Sequence, residues 1–261
     1  MQSGSRIRSA RATLSLELKR AQLQFRKQRA AGDLFVDYGW IRLLYSGDSD
    51  DQEIAYHLHQ RHWHEKDMQV FRSLLAPGQT AIDIGANLGF ITAMLASIVG
   101  PDGRVLAFEP APAVFVKLQK TLAVNGLDQV TPMNFGCGAA RSVTRLHQVN
   151  RSSGNASIVS GGRDAGEIRL ERLDDVAQAW ATRVSLLKID TEGYEPEILQ
   201  GARRLIADHR PIIYLEMGGD YVASTLRSME LLAEAGYGID HVRSIDWSAV
   251  GNGSNYFFFP G

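Results

Sequence analysis

The sequence has little cysteine and no long apolar run. Its 261 residues include a single cysteine, Cys137, so an internal disulfide is excluded. We find no N-terminal apolar stretch of the length that a signal peptide or a membrane span needs. Together these absences predict a protein of a reducing, cytoplasmic compartment.

An excess of charge of one sign is also missing. The chain carries 28 basic and 29 acidic residues, a balance that predicts no nucleic-acid partner. The exception is the N-terminus, where one acid, Glu17, stands among eight basic residues: Arg6, Arg8, Arg11, Lys19, Arg20, Arg26, Lys27 and Arg29. Two interpretations are open. The segment is a basic amphipathic helix that makes peripheral contact with an anionic membrane or an acidic partner, or it is a solvated helix that packs in a homo-oligomer.

From Thr80 onward, short apolar strands alternate with helical segments. This rhythm predicts an α/β fold: a mostly parallel, seven-stranded, Rossmann-like sheet with helices on both faces. We therefore divide the chain into a basic, helical N-terminal extension over 1–67 and a main domain over 68–261. Residues 142–173 interrupt the alternation with two short polar-apolar runs around a glycine- and serine-rich stretch, which predicts a hairpin with a flexible loop.

The stretch "AIDIGANLGF", residues 81–90, predicts a buried strand, a glycine turn and a helix. Dinucleotide sites space their glycines as G-x-G-x-x-G, whereas here three residues separate Gly85 from Gly89. The carboxylate of Asp83 would repel a pyrophosphate but would attract the cationic S-adenosylmethionine, directly or through water. Glu109 ends the next strand, where an acid can accept both hydroxyls of a ribose. The alternative is that Asp83 caps the helix and that the glycines serve close packing alone.

Several blocks of the sequence resemble the FkbM-type methyltransferases. The similarity covers roughly 68–218, and its blocks are "AIDIGANLGF", "VLAFEPAPAVFVKLQKTLAVNGL", "LERLDDV", "LLKIDTEGYEPEILQGA" and "PIIYLEM". The resemblance implies a Rossmann-like, S-adenosylmethionine-dependent O-methyltransferase that acts on hydroxyls of sugars, glycans or natural products. By position, it assigns the cofactor turn to Asp83, Gly85, Asn87 and Gly89 and the ribose to Glu109, with an adenine contact at Gly136 or Cys137. We also expect cofactor contacts from Ala86, Phe90, Pro110 and Asp190.

Acids at the ends of the later strands are the candidate catalytic residues. Methyl transfer to an alcohol benefits from a base near the hydroxyl, and Asp190, Glu192 and Glu216 stand where the fourth and fifth strands of the main domain end. Crowded carboxylates raise one another's pKa, which suits a base at neutral pH. The alternative for Asp190 and Glu192 is to hold the turn at Gly193 by hydrogen bonds. The next two acids, Glu195 and Glu197, are expected to complement a helix dipole, and Lys188 is assigned no role.

A cluster of four histidines in "HLHQRHWH" does not have an orderly set of metal ligands, so no metal is predicted. His62 and Trp63 are expected at the rim of the cleft instead. The sequon at Asn155 is interpreted as part of a mobile lid over the acceptor. Two rival functions remain at this point: a nicotinamide-dependent oxidoreductase, and a non-catalytic module that docks on a membrane or a complex.

Overall fold

The computed structural model describes residues 34–37, 39–45, 61–148, 156–159, 161–177, 183–218, 221–238, 243–244 and 253–261. The basic segment before residue 34 and the sequon at Asn155 lie outside these ranges, so the membrane contact, the oligomer and the lid remain predictions. Within the described ranges, no helix combines the length and the apolar character that crossing a membrane requires.

Strands and helices alternate along most of the chain. The strands are β1 (Leu34–Asp37), β2 (Arg42–Tyr45), β3 (Thr80–Ile84), β4 (Arg104–Phe108), β5 (Val130–Met133), β6 (Gly136–Cys137), β7 (Ser142–Gln148), β8 (Ala156–Ser157), β9 (Arg163–Glu171), β10 (Val184–Ile189), β11 (Ile212–Gly218), β12 (Arg243–Ser244) and β13 (Gly253–Phe258). The helices are α1 (Arg61–Leu74), α2 (Phe90–Val99), α3 (Pro112–Val124), α4 (Leu173–Ala177), α5 (Glu195–Gly201), α6 (Arg203–His209) and α7 (Val222–Glu234).

The central sheet has seven strands in the order β12-β13-β11-β10-β3-β4-β5. Neighbours from β11 to β5 are parallel, whereas β13 runs antiparallel to both β11 and β12. The predicted α/β fold with a mostly parallel sheet is therefore confirmed. Strand order reverses between β3 and β10, and ligands of open α/β sheets bind at the carboxyl ends of the strands beside such a point.

Alternate residues of the central strands face two separate cores, one on each side of the sheet. In β3, Ala81 belongs to one core, which also holds Leu95 of α2, while Ile82 and Ile84 belong to the other, which also holds Ile198 of α5. Because both faces are covered, these strands are nearly continuous apolar runs, and a charged residue inside them must find a buried partner.

The N-terminal extension differs from its prediction. Its described part contains a β-hairpin, β1–β2, where a helical segment was expected, and α1 runs across the expected boundary after residue 67. The hairpin pairs with α3: the Leu44 N–H donates to the Thr121 hydroxyl at 3.2 Å and the Arg42 N–H donates to Oδ1 of Asn125 at 2.9 Å. The short apolar run "LFVDYGWIRLLY" lacks helical periodicity, so its packing on α3 decides its structure.

A second, four-stranded sheet has the order β6-β9-β7-β8 and contains the predicted hairpin between residues 142 and 173. We call it the small sheet. Its apolar residues Leu146, Ile168 and Leu170 pack with Ala111 at the start of α3. This packing fixes the small sheet beside the carboxyl ends of the central strands.

Candidate active site

The turn that follows β3, residues 85–89, is the first part of the site, and we call it the glycine turn. Gly85 and Gly89 have φ values of 78° and 93°, which favour glycine. A Cβ atom on Gly85 would lie 1.9 Å from the carbonyl oxygen of Asp190, so the chain after β3 touches the chain after β10. The Gly85 and Ala86 N–H groups both donate to the Phe108 carbonyl at 3.0 Å. Backbone contacts thus tie the turn to two neighbouring strands.

Glu109, at the end of β4, faces the glycine turn. Its Oε2 accepts the Asn87 N–H and its Oε1 accepts the Ala111 N–H, each at 2.9 Å. Burial is the main cause that raises the pKa of Glu109 to about 7, against the lowering effect of these two bonds. Each carboxylate oxygen accepts one backbone bond and keeps capacity for another, which fits the two hydroxyls of a ribose.

Asp83 does not face the cleft. Its side chain is 0% exposed, the Thr92 hydroxyl donates to its Oδ2 at 2.6 Å, and the Lys188 ammonium lies 2.9 Å from its Oδ1. The expected attraction of Asp83 for a cationic ligand, direct or through water, is therefore corrected: an internal cation already neutralises this carboxylate. Asp83 also does not cap α2, because its partner is the side chain of Thr92.

Lys188, to which the sequence assigned no role, connects the glycine turn to Asp190, which follows β10. Its buried ammonium donates to the carbonyls of Gly85 at 2.7 Å and Ile84 at 3.3 Å, besides its pair with Asp83. It also lies 3.6 Å from Oδ2 of Asp190. The sequence does contain the signal, since a lysine inside the apolar run "LLKI" of a central strand needs a buried partner.

The turn that follows β10, residues 190–194, is the second part of the site, and we call it the acidic turn. Glu192 has a φ of 55°, so the alternation of a strand does not extend to it. Burial, and then the charges of Asp190 and Glu195, raise the pKa of Glu192 to about 7. The Ser157 hydroxyl of the small sheet donates to the Glu192 carbonyl at 2.8 Å. The acidic turn thus combines a carboxylate that titrates near neutrality with a contact to the small sheet.

Glu195 holds the acidic turn through hydrogen bonds, a role beyond the expected interaction with a helix dipole. Its Oε1 accepts the N–H and the hydroxyl of Thr191, both at 3.0 Å, and the Gly193 N–H at 3.1 Å. Its Oε2 accepts the Ser224 hydroxyl of α7 at 2.8 Å. The interpretation that a carboxylate fixes the turn at Gly193 therefore applies to Glu195.

Cys137 lies away from the cleft. Its thiol is in the core on the α5 side of the sheet, where burial raises its pKa, so a contact of this side chain with adenine is corrected. Gly136 packs under Leu170 and Pro110, where a Cβ atom would lie 2.6 Å from the leucine. Both residues form the short strand β6, and its pairing with β9 within the small sheet explains their place.

Three further predicted residues are Ala86 in the glycine turn, Phe90 at the start of α2 and Glu216 in β11. Ala86 and Phe90 are buried, and the ring of Phe90 meets that of Trp40 edge-to-face with centroids 5.3 Å apart. Glu216 lies in β11 opposite Asn255, in the strand next to β10. The described ranges contain no group of three or more histidine, cysteine or acidic side chains arranged to hold a metal ion.

Comparison with known proteins gives consistent matches to methyltransferases. The family model of the methyltransferase FkbM domain matches residues 83–239, more than half of the chain. The methyltransferase sdnD of Sordaria araneosa is 28% identical over 153 residues, which cover 46% of this chain and 59% of that protein. A protein-L-isoaspartate O-methyltransferase of Triticum aestivum is 36% identical over 55 residues, 21% of this chain and 24% of that protein.

Among solved structures, a methyltransferase FkbM from Methylobacillus flagellatus KT superposes with a TM-score of 0.51 at 18% identity, over 82% of this chain and 56% of that one. This likeness shows the Rossmann-like methyltransferase fold. The chain spans little more than half of the length of sdnD, the first of these relatives. The family match confirms the prediction of S-adenosylmethionine as the cofactor.

Proposed function

The chain belongs to the FkbM methyltransferase family, and we propose that it transfers the methyl group of S-adenosylmethionine to a hydroxyl of a sugar, glycan or natural-product acceptor. The observation that carries this proposal is Glu192, a half-buried carboxylate in the acidic turn whose pKa is raised to about 7 by burial and by the charges of Asp190 and Glu195. A base of this strength is available at neutral pH, and the acceptor atom that needs one is a hydroxyl oxygen.

The glycine turn and Glu109 would hold the cofactor. The carboxylate of Glu109 offers one further acceptor position on each oxygen to the ribose hydroxyls, while the Asn87 N–H fixes its orientation. The cofactor, when bound, supplies an electrophilic methyl group on a sulfonium. The touching backbones at Gly85 and Asp190 support a short distance between the cofactor and the acidic turn.

The acidic turn and the small sheet would handle the acceptor. Glu192 takes the proton of the acceptor hydroxyl as the oxygen attacks, and Glu195 together with the Ser157 hydroxyl holds the backbone on which Glu192 stands. Proper placement of the hydroxyl accounts for much of the rate of an in-line displacement. Asp190 remains the second candidate for the base.

Two considerations support oxygen as the acceptor atom over another nucleophile. An alcohol is a weak nucleophile and gains from a base, whereas the lone pair of a neutral amine is nucleophilic enough without one. The wheat relative is, by its name, an O-methyltransferase that acts on isoaspartate, a carboxylate oxygen, and it matches only about a fifth of this chain. The acceptor class itself comes from the resemblance of the sequence blocks to FkbM-type enzymes.

The proposal is tested with the full-length chain, S-adenosylmethionine with a labelled methyl group, and acceptor mixtures of polysaccharides, glycolipids and small hydroxylated natural products. We expect label in an ether-linked methyl group, located by mass spectrometry. Asp175→Asn, an exposed position on α4, is the control that should retain full transfer. Stabilisation by NAD without S-adenosylmethionine binding, or label on nitrogen or carbon alone, would contradict the proposal.

A further inference from the structure

At the start of the glycine turn, no side chain restricts the backbone conformation. Gly85 has no side chain, and glycine can adopt its φ of 78° and several other backbone conformations at little cost. Its N–H donates to the Phe108 carbonyl at 3.0 Å, and the Asp190 N–H donates to the Ile84 carbonyl at 3.2 Å. The carbonyls of Ile84 and Gly85 both point to the same donor, the Lys188 ammonium, at 3.3 and 2.7 Å.

The same ammonium lies against two carboxylates that differ in exposure. Asp83 is fully buried 2.9 Å away, whereas the Asp190 carboxylate is 37% exposed and 3.6 Å away. A buried ammonium must satisfy three N–H donors, and besides Asp83 this one uses the two carbonyls at the start of the glycine turn as its acceptors. The arrangement joins the start of the glycine turn to the start of the acidic turn through one charge.

We propose that Lys188 is a positioning residue for cofactor binding, which holds the carbonyls of Ile84 and Gly85 and orients Asp190 so that both turns face one ligand. Its charge is used inside the protein and does not reach the cleft, because its side chain is only 3% exposed. The inference depends on the proposed function only for its link to turnover, since its tests measure cofactor binding.

The difficulty in testing Lys188 is its pair with Asp83, because Lys188→Met alone leaves a buried carboxylate without its cation. This single variant should melt roughly 10 °C below the wild type. Asp83→Asn combined with Lys188→Met removes both charges, keeps an acceptor for the Thr92 hydroxyl, and should recover most of that loss, as apolar replacements of buried pairs often do. The double variant therefore separates stability from positioning.

Thr92→Val is the matched control, because it removes a hydrogen bond to Asp83 and leaves every contact of Lys188 in place. Affinity for S-adenosylhomocysteine is measured by calorimetry on all four proteins, and amide exchange is measured over residues 85–89. We expect the double variant to bind about tenfold more weakly and to exchange faster in the glycine turn, at a melting temperature near that of the wild type. The control should lose stability but keep its affinity.

The outcomes distinguish the two proposals. If the wild type does not bind S-adenosylhomocysteine, the proposed function is contradicted before Lys188 is tested. If the wild type binds and the double variant binds equally well, Lys188 only neutralises Asp83 and the inference is wrong. A control that loses affinity in step with its melting temperature would also overturn it, because affinity would then follow stability and not the contacts of Lys188.

Discussion

The two sides of the candidate site use acids in the same two ways. On the β3–β4 side, Asp83 is buried and paired with a cation, while Glu109 faces the glycine turn with a pKa of about 7. On the β10 side, Glu195 is buried and accepts four hydrogen bonds, while Glu192 stands in the acidic turn with a pKa of about 7. Each side thus has one acid that is bonded within the protein and one that is not fully satisfied.

The comparison teaches that position at a strand end does not decide what a carboxylate does. A buried acid with complete internal partners fixes backbone, and removing it exposes unsatisfied donors or an unpaired cation. An acid whose desolvation is not fully compensated has a raised pKa and is ready to gain a partner from a ligand. The same type of substitution is therefore expected to have different effects at the four acids.

The largest expected effect is on turnover, at the unsatisfied acid of the β10 side. Glu192→Gln keeps the shape and removes the proton acceptor, so methyl transfer should fall about 10²- to 10⁴-fold while cofactor affinity changes less than about tenfold. Wild-type turnover should decline as pH falls through about 7, because Glu192 becomes protonated, and the variant should lack that decline. Full turnover in Glu192→Gln would move the base to Asp190, Glu216 or His62.

The second largest effect is expected on stability, when Glu195, the fully hydrogen-bonded acid on the β10 side, is replaced. Glu195→Ala leaves the donors of Thr191, Gly193 and Ser224 without their acceptor and should lower the free energy of unfolding by about 2 to 4 kcal/mol. Glu195→Gln keeps an acceptor oxygen and should cost clearly less. Chemical denaturation of both variants measures the difference, and equal losses would show that charge, not hydrogen bonding, holds the acidic turn.

A smaller effect is expected on cofactor binding, when Glu109 on the β3–β4 side is replaced. Glu109→Ala should weaken S-adenosylmethionine or S-adenosylhomocysteine by about 1.5 to 3 kcal/mol, because charged hydrogen bonds to the ribose are lost. Glu230→Gln on the exposed face of α7 is the control and should bind normally. Unchanged affinity in Glu109→Ala, measured by calorimetry, would remove Glu109 from the cofactor site.

The sequence predicted the fold, but not which acids face the cleft. Alternating apolar runs are a local pattern, and they were sufficient for the parallel sheet and for the place of Glu109. The cation beside Asp83 comes from Lys188, 105 residues away along the chain, and one of the four donors to Glu195 comes from Ser224, 29 residues away. Such pairings depend on strand order and register, which no local pattern contains. The β1–β2 hairpin was missed although its sequence lacks helical periodicity, and its contacts, to Thr121 of α3 and to Asn125 just after it, are also remote along the chain.

The smallest expected effect is a pH dependence of stability, which reports the titration of Glu192 in the absence of any ligand. The pKa of Glu192 is raised from 4.5 to about 7 in the folded protein, so the folded state holds this proton more tightly than the unfolded state. Its contribution to stability is therefore complete below about pH 4.5 and is lost as pH rises through about 7. Glutamine at this position is neutral throughout, so Glu192→Gln should match the wild type near pH 5 and melt at a higher temperature near pH 8. Melting curves of both proteins across this range measure the difference, and a gap between them that stays constant with pH would mean that Glu192 titrates like an exposed glutamate and is unsuited to be the base.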